Sequence, residues 1–309
     1  MQRTEEKNQP KISFPDFSGF VKDGRVPEEI IEEFREFVFR YYRTYGRHDM
    51  RWRHTTDPYL ITVSEVMLQQ TQVPRVEVIF PRFVEQFPTA EALAFAPEAE
   101  VIAAWQGMGY NRRALSLQKL CRIITEKYGG IFPKTPEELI ELPGIGPATS
   151  CSISAFAFNA PVVFIETNIR RIFIHCFFRN REEVDDKELF PLVKAALPKN
   201  AREWYWALMD LGSVMKHSAG NPNRKSRQYV KQSAFEGSKR QVRGRVLKEM
   251  LNGKKVDAKT LAEILSCPAD VVSDVLEVMT KEGFFIRDEG GYYRIKSAPA
   301  PAGNEPEKR

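Results

Sequence analysis

The chain has 309 residues, enough for one large or two modest domains with a real core, and its net charge of +5 admits an anionic partner without a polybasic tail. Its four cysteines, Cys121, Cys151, Cys176 and Cys267, form no C-x-x-C pair, which argues against a disulfide framework or a structural metal. The charged start MQRTEEKNQP has no apolar leader and no apolar run is long enough to span a bilayer, so a soluble cytoplasmic protein is expected.

In chain order, residues 1–26 are polar and punctuated by Pro and Gly, and read as a flexible arm. Pro27 opens a helix in which Ile30, Ile31, Phe34, Phe37, Val38 and Tyr41 share one face. A loop rich in Arg, His and Asp covers 46–57, and Pro58 introduces YLITVSEVMLQQTQV. Amphipathic stretches follow near 75–87, 89–95, 97–106, 111–128, 135–141, 147–158, 168–178, 186–197 and 201–215, mostly separated by Pro or Gly. No alternating strand pattern precedes residue 280, so the body, 27–215, is expected to be all-α. Residues 216–238 form a basic linker, and 239–296 read as helices near 239–252, 258–265 and 269–282 followed by a hairpin around Gly290 and Gly291. That order is winged-helix-like. The Pro/Ala/Glu-rich tail 297–309 reads as disordered.

Several short segments carry chemistry. In LPGIGPATS, Gly144 and Gly146 permit a tight turn and Pro147 can begin a helix, so backbone N–H groups there make a natural phosphate seat. VVFIETNIRRIF places Glu166 where an apolar run enters a helix, whose N-terminus favours a charged carboxylate. In SEVMLQQTQV, Glu65 sits on a helix ended by the polar Gln69, Gln70 and Thr71. GMGYNRRALSL combines a glycine turn with Tyr110, able to stack on a base, and with Arg112 or Arg113, able to meet phosphate. WYWALMDLGS is a further apolar, aromatic helix.

Together these segments resemble, in order, the motifs of the helix-hairpin-helix DNA glycosylases, and SEVMLQQTQV is nearly identical to the MutY-type adenine glycosylase segment. The likeness runs from about Tyr42 to Gly212. It implies a two-lobed helix-hairpin-helix glycosylase fold acting as a monomer on double-stranded DNA that contains a mismatch or lesion, while the winged-helix-like pattern at the C-terminal end stands where relatives carry a domain that reads 8-oxoguanine. By this resemblance Glu65 protonates the purine and activates water. Glu166, with Asn168 two residues on, stabilises an oxocarbenium-like sugar or forms a transient adduct with it. Gln69, Gln70 and Thr71 wedge into the duplex; Tyr110, Asn111 and Arg112, and the hairpin residues Gly144, Gly146 and Thr149, bind DNA. Arg53 and Trp206 fall in the base pocket.

Four departures qualify the likeness. The MutY-type [4Fe–4S] spacing C-x6-C-x2-C-x5-C here reads Lys216, Asn223, Ser226 and Gln232, so no cluster or other cofactor is expected, and the basic loop is expected to do its structural work. Ala148 stands where bifunctional relatives carry a Lys nucleophile, which predicts base excision without lyase activity. Trp206 replaces the family's adenine-contacting Gln or Glu. Glu166 replaces the usual Asp, a carbon–carbon step of about 1.5 Å that can cost roughly a hundredfold in rate unless compensated.

The would-be recognition helix 269–282 carries Asp270, Asp274, Glu277 and Glu282, so packing or partner binding is favoured over groove reading. Arg224, Lys225 and Arg227 in the basic segment are the better DNA contacts. The leading expectation is a monofunctional glycosylase of base excision repair, associated with the nucleoid and acting on adenine mispaired with guanine or 8-oxoguanine. Alternatives are a thymine/uracil mismatch glycosylase and a non-catalytic lesion-binding protein.

Overall fold

The computed structural model describes residues 12–218, 220–230, 235–252 and 255–296. The expectations for residues 1–11, Gln232 and the tail 297–309 lie outside the described residues, as does any account of the Lys216 side chain. Two compact units emerge, one of Met1–Glu65, Pro133–Glu141 and Ile145–Lys231, the other of Val66–Phe132, Leu142–Gly144 and Gln232–Arg309. The described residues are overwhelmingly helical, with one short antiparallel strand pair, and none of their helices is long and apolar enough to cross a membrane.

The first unit holds α1 (Glu28–Tyr45), most of α2 (Pro58–Leu68), α7 (Pro136–Leu139), α8 (Pro147–Phe158), α9 (Thr167–Phe177), α10 (Asp186–Ala196) and α11 (Ala201–Ser218). Acids Glu28 and Glu29 occupy the first turn of α1, complementing its dipole, while Ile31, Phe34, Val38, Tyr41 and Tyr42 are buried. Phe34 meets Phe173, Phe177 and Trp204 edge-on, with centroids 5.1, 5.0 and 5.9 Å away. Such aromatic packing adds geometric preference to simple burial. Helices α9 and α11 approach so closely that a Cβ on Gly212 would lie 2.5 Å from the Asn168 carbonyl oxygen. Glycine is required there by contact, not by φ.

The expected arm at 1–26 needs correction where it is described. Phe17 is buried, its N–H donates to the Cys176 carbonyl at 2.7 Å, and Phe14 packs edge-on against His175. Phe14 and Phe17 help anchor the segment, with Ile12, Val21 and Val26 packed against the same core and Arg179 bonded to the Phe14 and Pro15 carbonyls. Burying one phenylalanine ring is worth roughly 2 kcal/mol.

The second unit holds α3 (Val73–Gln86), α4 (Ala90–Phe95), α5 (Glu98–Ala104), α6 (Arg112–Tyr128), α12 (Lys239–Met250), α13 (Ala258–Leu265), α14 (Ala269–Lys281), β1 (Phe285–Arg287) and β2 (Tyr293–Ile295). Thr89, Ser238 and Asp257 cap α4, α12 and α13 through their side-chain oxygens, each satisfying an otherwise orphaned amide. The strands pair Phe285 with Ile295, and Val256 bridges to Tyr293. Val246, Leu247, Leu261, Val272, Leu276 and Phe284 form one core with Ile102 and Leu115, so 239–296 packs onto the helices of 66–132. Within that unit Arg243 pairs with Glu282, and Lys239 lies 3.7 Å from Asp274. The acids of α14 are thus partly answered by bases of α12.

Candidate functional site

In the first unit the run Val162–Ile165 delivers Glu166 to the N-cap of α9 in extended backbone. Its Oε1 accepts from the Asn168 and Ile169 amides at 2.7 and 2.9 Å, and Oε2 faces Asn168 Nδ2 at 3.4 Å. The longer side chain therefore folds back to serve as the cap that Asp or Ser more often supplies. Asn168 is fixed in turn: its Oδ1 accepts from Arg171 Nη1 at 2.9 Å, and the same nitrogen donates to the Gly212 carbonyl. Arg171 is 5 % exposed. Burial raises the Glu166 pKa; the Ile169 and Asn168 amides and the charges of Arg171 and Arg170 oppose that rise without cancelling it.

Glu65 occupies the same unit on α2. Burial is the main cause of a pKa raised to about 7; the neighbouring charge of Glu166 adds to it, while Ser152 and Arg53 work against it. Ser152 projects from α8, and its hydroxyl donates to the Thr149 carbonyl at 3.0 Å. Glu166 has two fixed amide donors for its charge and Glu65 has none, so a proton shared by this pair resides first on Glu65. Ala148, exposed in the first turn of α8, offers no nucleophile.

Arg53 and Trp206 line one cavity of about 450 Å³ in this unit, with Tyr42, His54, Thr56 and Arg202. Glu65 does not line it. Both terminal nitrogens of Arg53 are engaged by Asp210 at 2.7 and 2.8 Å, so its guanidinium offers mainly a face, 5.6 Å from the Trp206 ring. Trp206 stacks at 18° on Phe156. Asp210 is 1 % exposed and also accepts from the Arg47 amide and Nε; burial opposes its charge, but the bonds and charges of Arg53 and Arg47 hold its pKa below the ordinary value.

In the second unit the DNA-facing candidates are arranged around Arg113. Its Nη1 donates to the carbonyls of Val66, Met67 and Gln69 at 2.8, 3.0 and 2.6 Å; its Nη2 reaches Thr71 Oγ1 and the Gly109 carbonyl, both at 3.0 Å. Arg113 thus faces inward, and of the two alternatives the exposed Arg112, beside Asn111 at the start of α6, is left as the phosphate candidate. Gln70 (φ 55°) and Tyr110 (φ 47°) sit in the left-handed region, where a side chain is strained, and Arg113 bonds the turns that hold both. Arg240 Nη1 donates to the Tyr110 hydroxyl at 2.5 Å, so that ring is already engaged. Gln69 donates to the Gly144 carbonyl at 3.2 Å, and Gly144 (φ 82°) has no room for a Cβ against Ser116, which would stand 2.9 Å away. Gly146, in the first unit, caps α8, with Thr149 in the following turn.

The basic segment is only partly available to a partner. Lys225 Nζ donates to the Arg179 carbonyl at 2.7 Å, and Arg227 pairs with Glu183 at 2.8 Å. Those engagements set aside Lys225 and weaken Arg227 as DNA contacts, whereas Arg224 is exposed. Asn223 and Ser226, aligned by resemblance with cluster-ligating cysteines, are 3 % and 6 % exposed and hydrogen-bonded: Asn223 Nδ2 to the Thr167 carbonyl, Ser226 Oγ to Gln228 Oε1. An amide and a hydroxyl do not fit a [4Fe–4S] cluster, which wants thiolates. Among the described residues no group of three or more His, Cys, Asp or Glu is placed to hold a metal ion.

Sequence reasoning missed Ser152, Asp210, Arg171, Gly212 and the inward turn of Arg113. Only Asp210 left a signal, as a lone acid in the apolar helix WYWALMDLGS.

Residues 63–195 match the sequence model described as "HhH-GPD superfamily base excision DNA repair protein". The chain is 32 % identical over 184 residues to an adenine DNA glycosylase of Buchnera aphidicola subsp. Baizongia pistaciae, an alignment covering 59 % of this chain and 52 % of that one. It therefore spans about half the length of that relative. With the adenine DNA glycosylase of Mycolicibacterium smegmatis it shares 35 % identity over 223 residues, covering 66 % of this chain and 75 % of the relative. A solved thermostable thymine-DNA glycosylase superposes with a TM-score of 0.53 at 25 % identity, covering 60 % of this chain and 87 % of that one.

Proposed function

The chain belongs to the HhH-GPD superfamily of base excision DNA repair proteins, and from that premise we propose that it is a monofunctional DNA N-glycosylase. The observation that carries this reading is the pair of carboxyls in one unit: Glu166 tied to the first amides of α9, and Glu65 with a pKa raised to about 7 beside it. A carboxyl titrating near neutrality can both give and take a proton, as general acid–base catalysis needs.

In the proposed reaction Glu65 gives its proton to a ring nitrogen of a base extruded from the duplex. The bond from base to C1′ breaks with its electron pair going to the base. Glu166, as carboxylate, stabilises the positive charge left on the sugar. Water then adds at C1′ and returns its proton to Glu65. The sum is hydrolysis, with base and an abasic sugar as products. Ala148 supplies no amine for a Schiff base, so strand cleavage is not expected to follow. We assign no iron–sulfur cluster to the chain, because Asn223 and Ser226 are spent on hydrogen bonds. A monomer acting on duplex DNA in the nucleoid completes the reading.

Adenine opposite guanine or 8-oxoguanine is the preferred substrate, by likeness to the adenine glycosylases. A second reading, thymine or uracil in a mismatch, draws support from the thymine-DNA glycosylase likeness and from Trp206, which offers a stacking surface on Phe156 rather than an amide or carboxylate. Duplexes carrying each candidate pair, incubated with the protein and then treated with hot alkali, decide. Alkali-dependent cleavage of one duplex names the substrate; cleavage without alkali contradicts the monofunctional reading. Tight binding with no cleavage on any duplex leaves a lesion-binding protein instead.

A further inference from the structure

The loop after α11 does more than close the chain. Residues 222–227 run against α9 and are tied near both of its ends. At one end the Asn223 Nδ2 donates to the Thr167 carbonyl at 2.9 Å, immediately after Glu166. At the other, Lys225 Nζ donates to the carbonyl of Arg179, just past the end of the helix, at 2.7 Å. Backbone bonds from the Val184 amide to Lys225 (2.8 Å) and from the Arg227 amide to Val184 (3.2 Å) anchor the loop to the segment that leads into α10.

Asn223 is an odd residue for mere packing. It is 3 % exposed, yet no protein donor reaches its Oδ1 among the described residues. An apolar side chain of similar size would fill the space without leaving a buried acceptor unpaired. What asparagine provides is one directed donor, aimed at the first carbonyl of α9. Other ties around that turn are the Glu166 cap, the Asn168–Arg171 and Arg171–Gly212 bonds and the Arg170–Asp186 ion pair. Asn223 is the only one of these residues that comes from the loop.

We propose that Asn223 is a positioning residue for the Glu166 carboxylate: its buried amide fixes the first turn of α9, doing through one hydrogen bond what a rigid metal-bound loop would do. This inference rests on the glycosylase reading for its catalytic consequence, though not for its structural one. The carboxylate is aimed by the amides of Asn168 and Ile169, so loosening their turn moves the oxygen that faces the sugar. A displacement of about 1 Å lowers the rate about a hundredfold, and duplex affinity is left unchanged.

The test uses the full chain with Asn223→Leu, which keeps the branched side-chain skeleton and removes the donor, and Asn223→His, which restores an N–H. Amide hydrogen exchange over residues 166–171 is measured beside single-turnover excision and duplex affinity. Expected for Asn223→Leu are exchange at Asn168 and Ile169 faster by about tenfold, excision slowed as above, and affinity within about twofold of the parent; Asn223→His should recover most of both losses. If exchange at those amides is unchanged, or if affinity falls in step with the rate, the proposal is overturned. Should Asn223→Leu fail to fold, Asn223→Ser takes its place with the same criteria. A parent protein that excises nothing defeats the glycosylase reading, and the exchange measurement still decides the role of Asn223.

Discussion

Two arginines, the half-buried Arg113 and the buried Arg171, organise the two units, and they are used in opposite ways. Arg113 spends its guanidinium on backbone carbonyls: Val66, Met67, Gln69, Met108 and Gly109 all accept from it, together with the Thr71 hydroxyl. The turns it joins include Gln70 and Tyr110 in left-handed backbone. Arg171 instead bonds Asn168 and Gly212, keeps a buried Nε without an acceptor among the described residues, and stands near a carboxylate whose pKa lies above its ordinary value. One arginine saturates a surface so that it holds a strained shape. The other supports a site that stays chemically poised. Strained but well-bonded turns suit the reading of a rigid partner, whereas two neighbouring carboxyls with raised pKa values suit proton transfer.

If this contrast is right, weakening the poised site should harm chemistry and help stability. Glu65→Gln is expected to slow base excision roughly a thousandfold, the scale of a lost general acid, read by single-turnover kinetics of base release on the duplex that the alkali assay identifies. In the parent, the acid form of Glu65 prevails below about pH 7, so the rate should fall as pH rises past that point. The same group weighs on stability. Because its folded pKa of about 7 exceeds the ordinary 4.5, its contribution is full below pH 4.5 and is lost as pH rises through 7. The amide variant should therefore unfold later than the parent at pH 8, by up to about 3 kcal/mol, and differ little at pH 4. A variant that melts earlier than the parent at pH 8 breaks the contrast.

Arg113→Ala should do the reverse. Stripping a charged donor from the carbonyls of two turns is expected to cost roughly 3 kcal/mol of stability, measured by denaturant unfolding. Arg113→Lys should recover only part, since one ammonium cannot span the acceptors that a planar fork reaches. Gly212→Ala is expected to cost about 1–3 kcal/mol, because its Cβ would lie 2.6 Å from that of Asn168. It should also slow excision beyond what that loss explains, because the strain falls on the turn bearing Glu166. Equal losses of rate and folded fraction would mean that α9 merely packs there.

Much of this was legible in the sequence, for reasons that also mark the limit. Helices announced themselves through period and through Pro, Gly and capping residues: α9 begins one residue before its expected start, and α6 covers 112–128 as against 111–128. The positions of Glu65, Glu166 and the two glycine turns came from local motifs. The long-range partners did not. Ser152 beside Glu65, Gly212 against Asn168 and Asn223 on Thr167 are separated from those residues by dozens of positions, and each is small or polar, with no period to betray a role. Charge was the least legible quantity. Arg113, Lys225 and Arg53 count as surface cations in any sequence tally, yet all three are committed to carbonyls or a carboxylate of this chain.

The smallest expected effect tests that last point inside a single loop. Arg224 and Lys225 are neighbours of equal charge, and counterion release treats every phosphate contact alike, with a slope of roughly 0.9 per contact in the dependence of log K on log salt. Arg224 is exposed, whereas Lys225 holds the Arg179 carbonyl at 2.7 Å. Arg224→Ala should therefore reduce the salt slope of duplex binding by about one contact and weaken affinity severalfold at low salt. Lys225→Ala should leave the slope where it was and lower stability by about 1 kcal/mol. Binding isotherms across a salt series, with unfolding curves beside them, read both. Equal slopes, both reduced by about one contact, would mean that the Arg179 bond gives way when DNA arrives and that a side chain engaged within the protein still reaches phosphate.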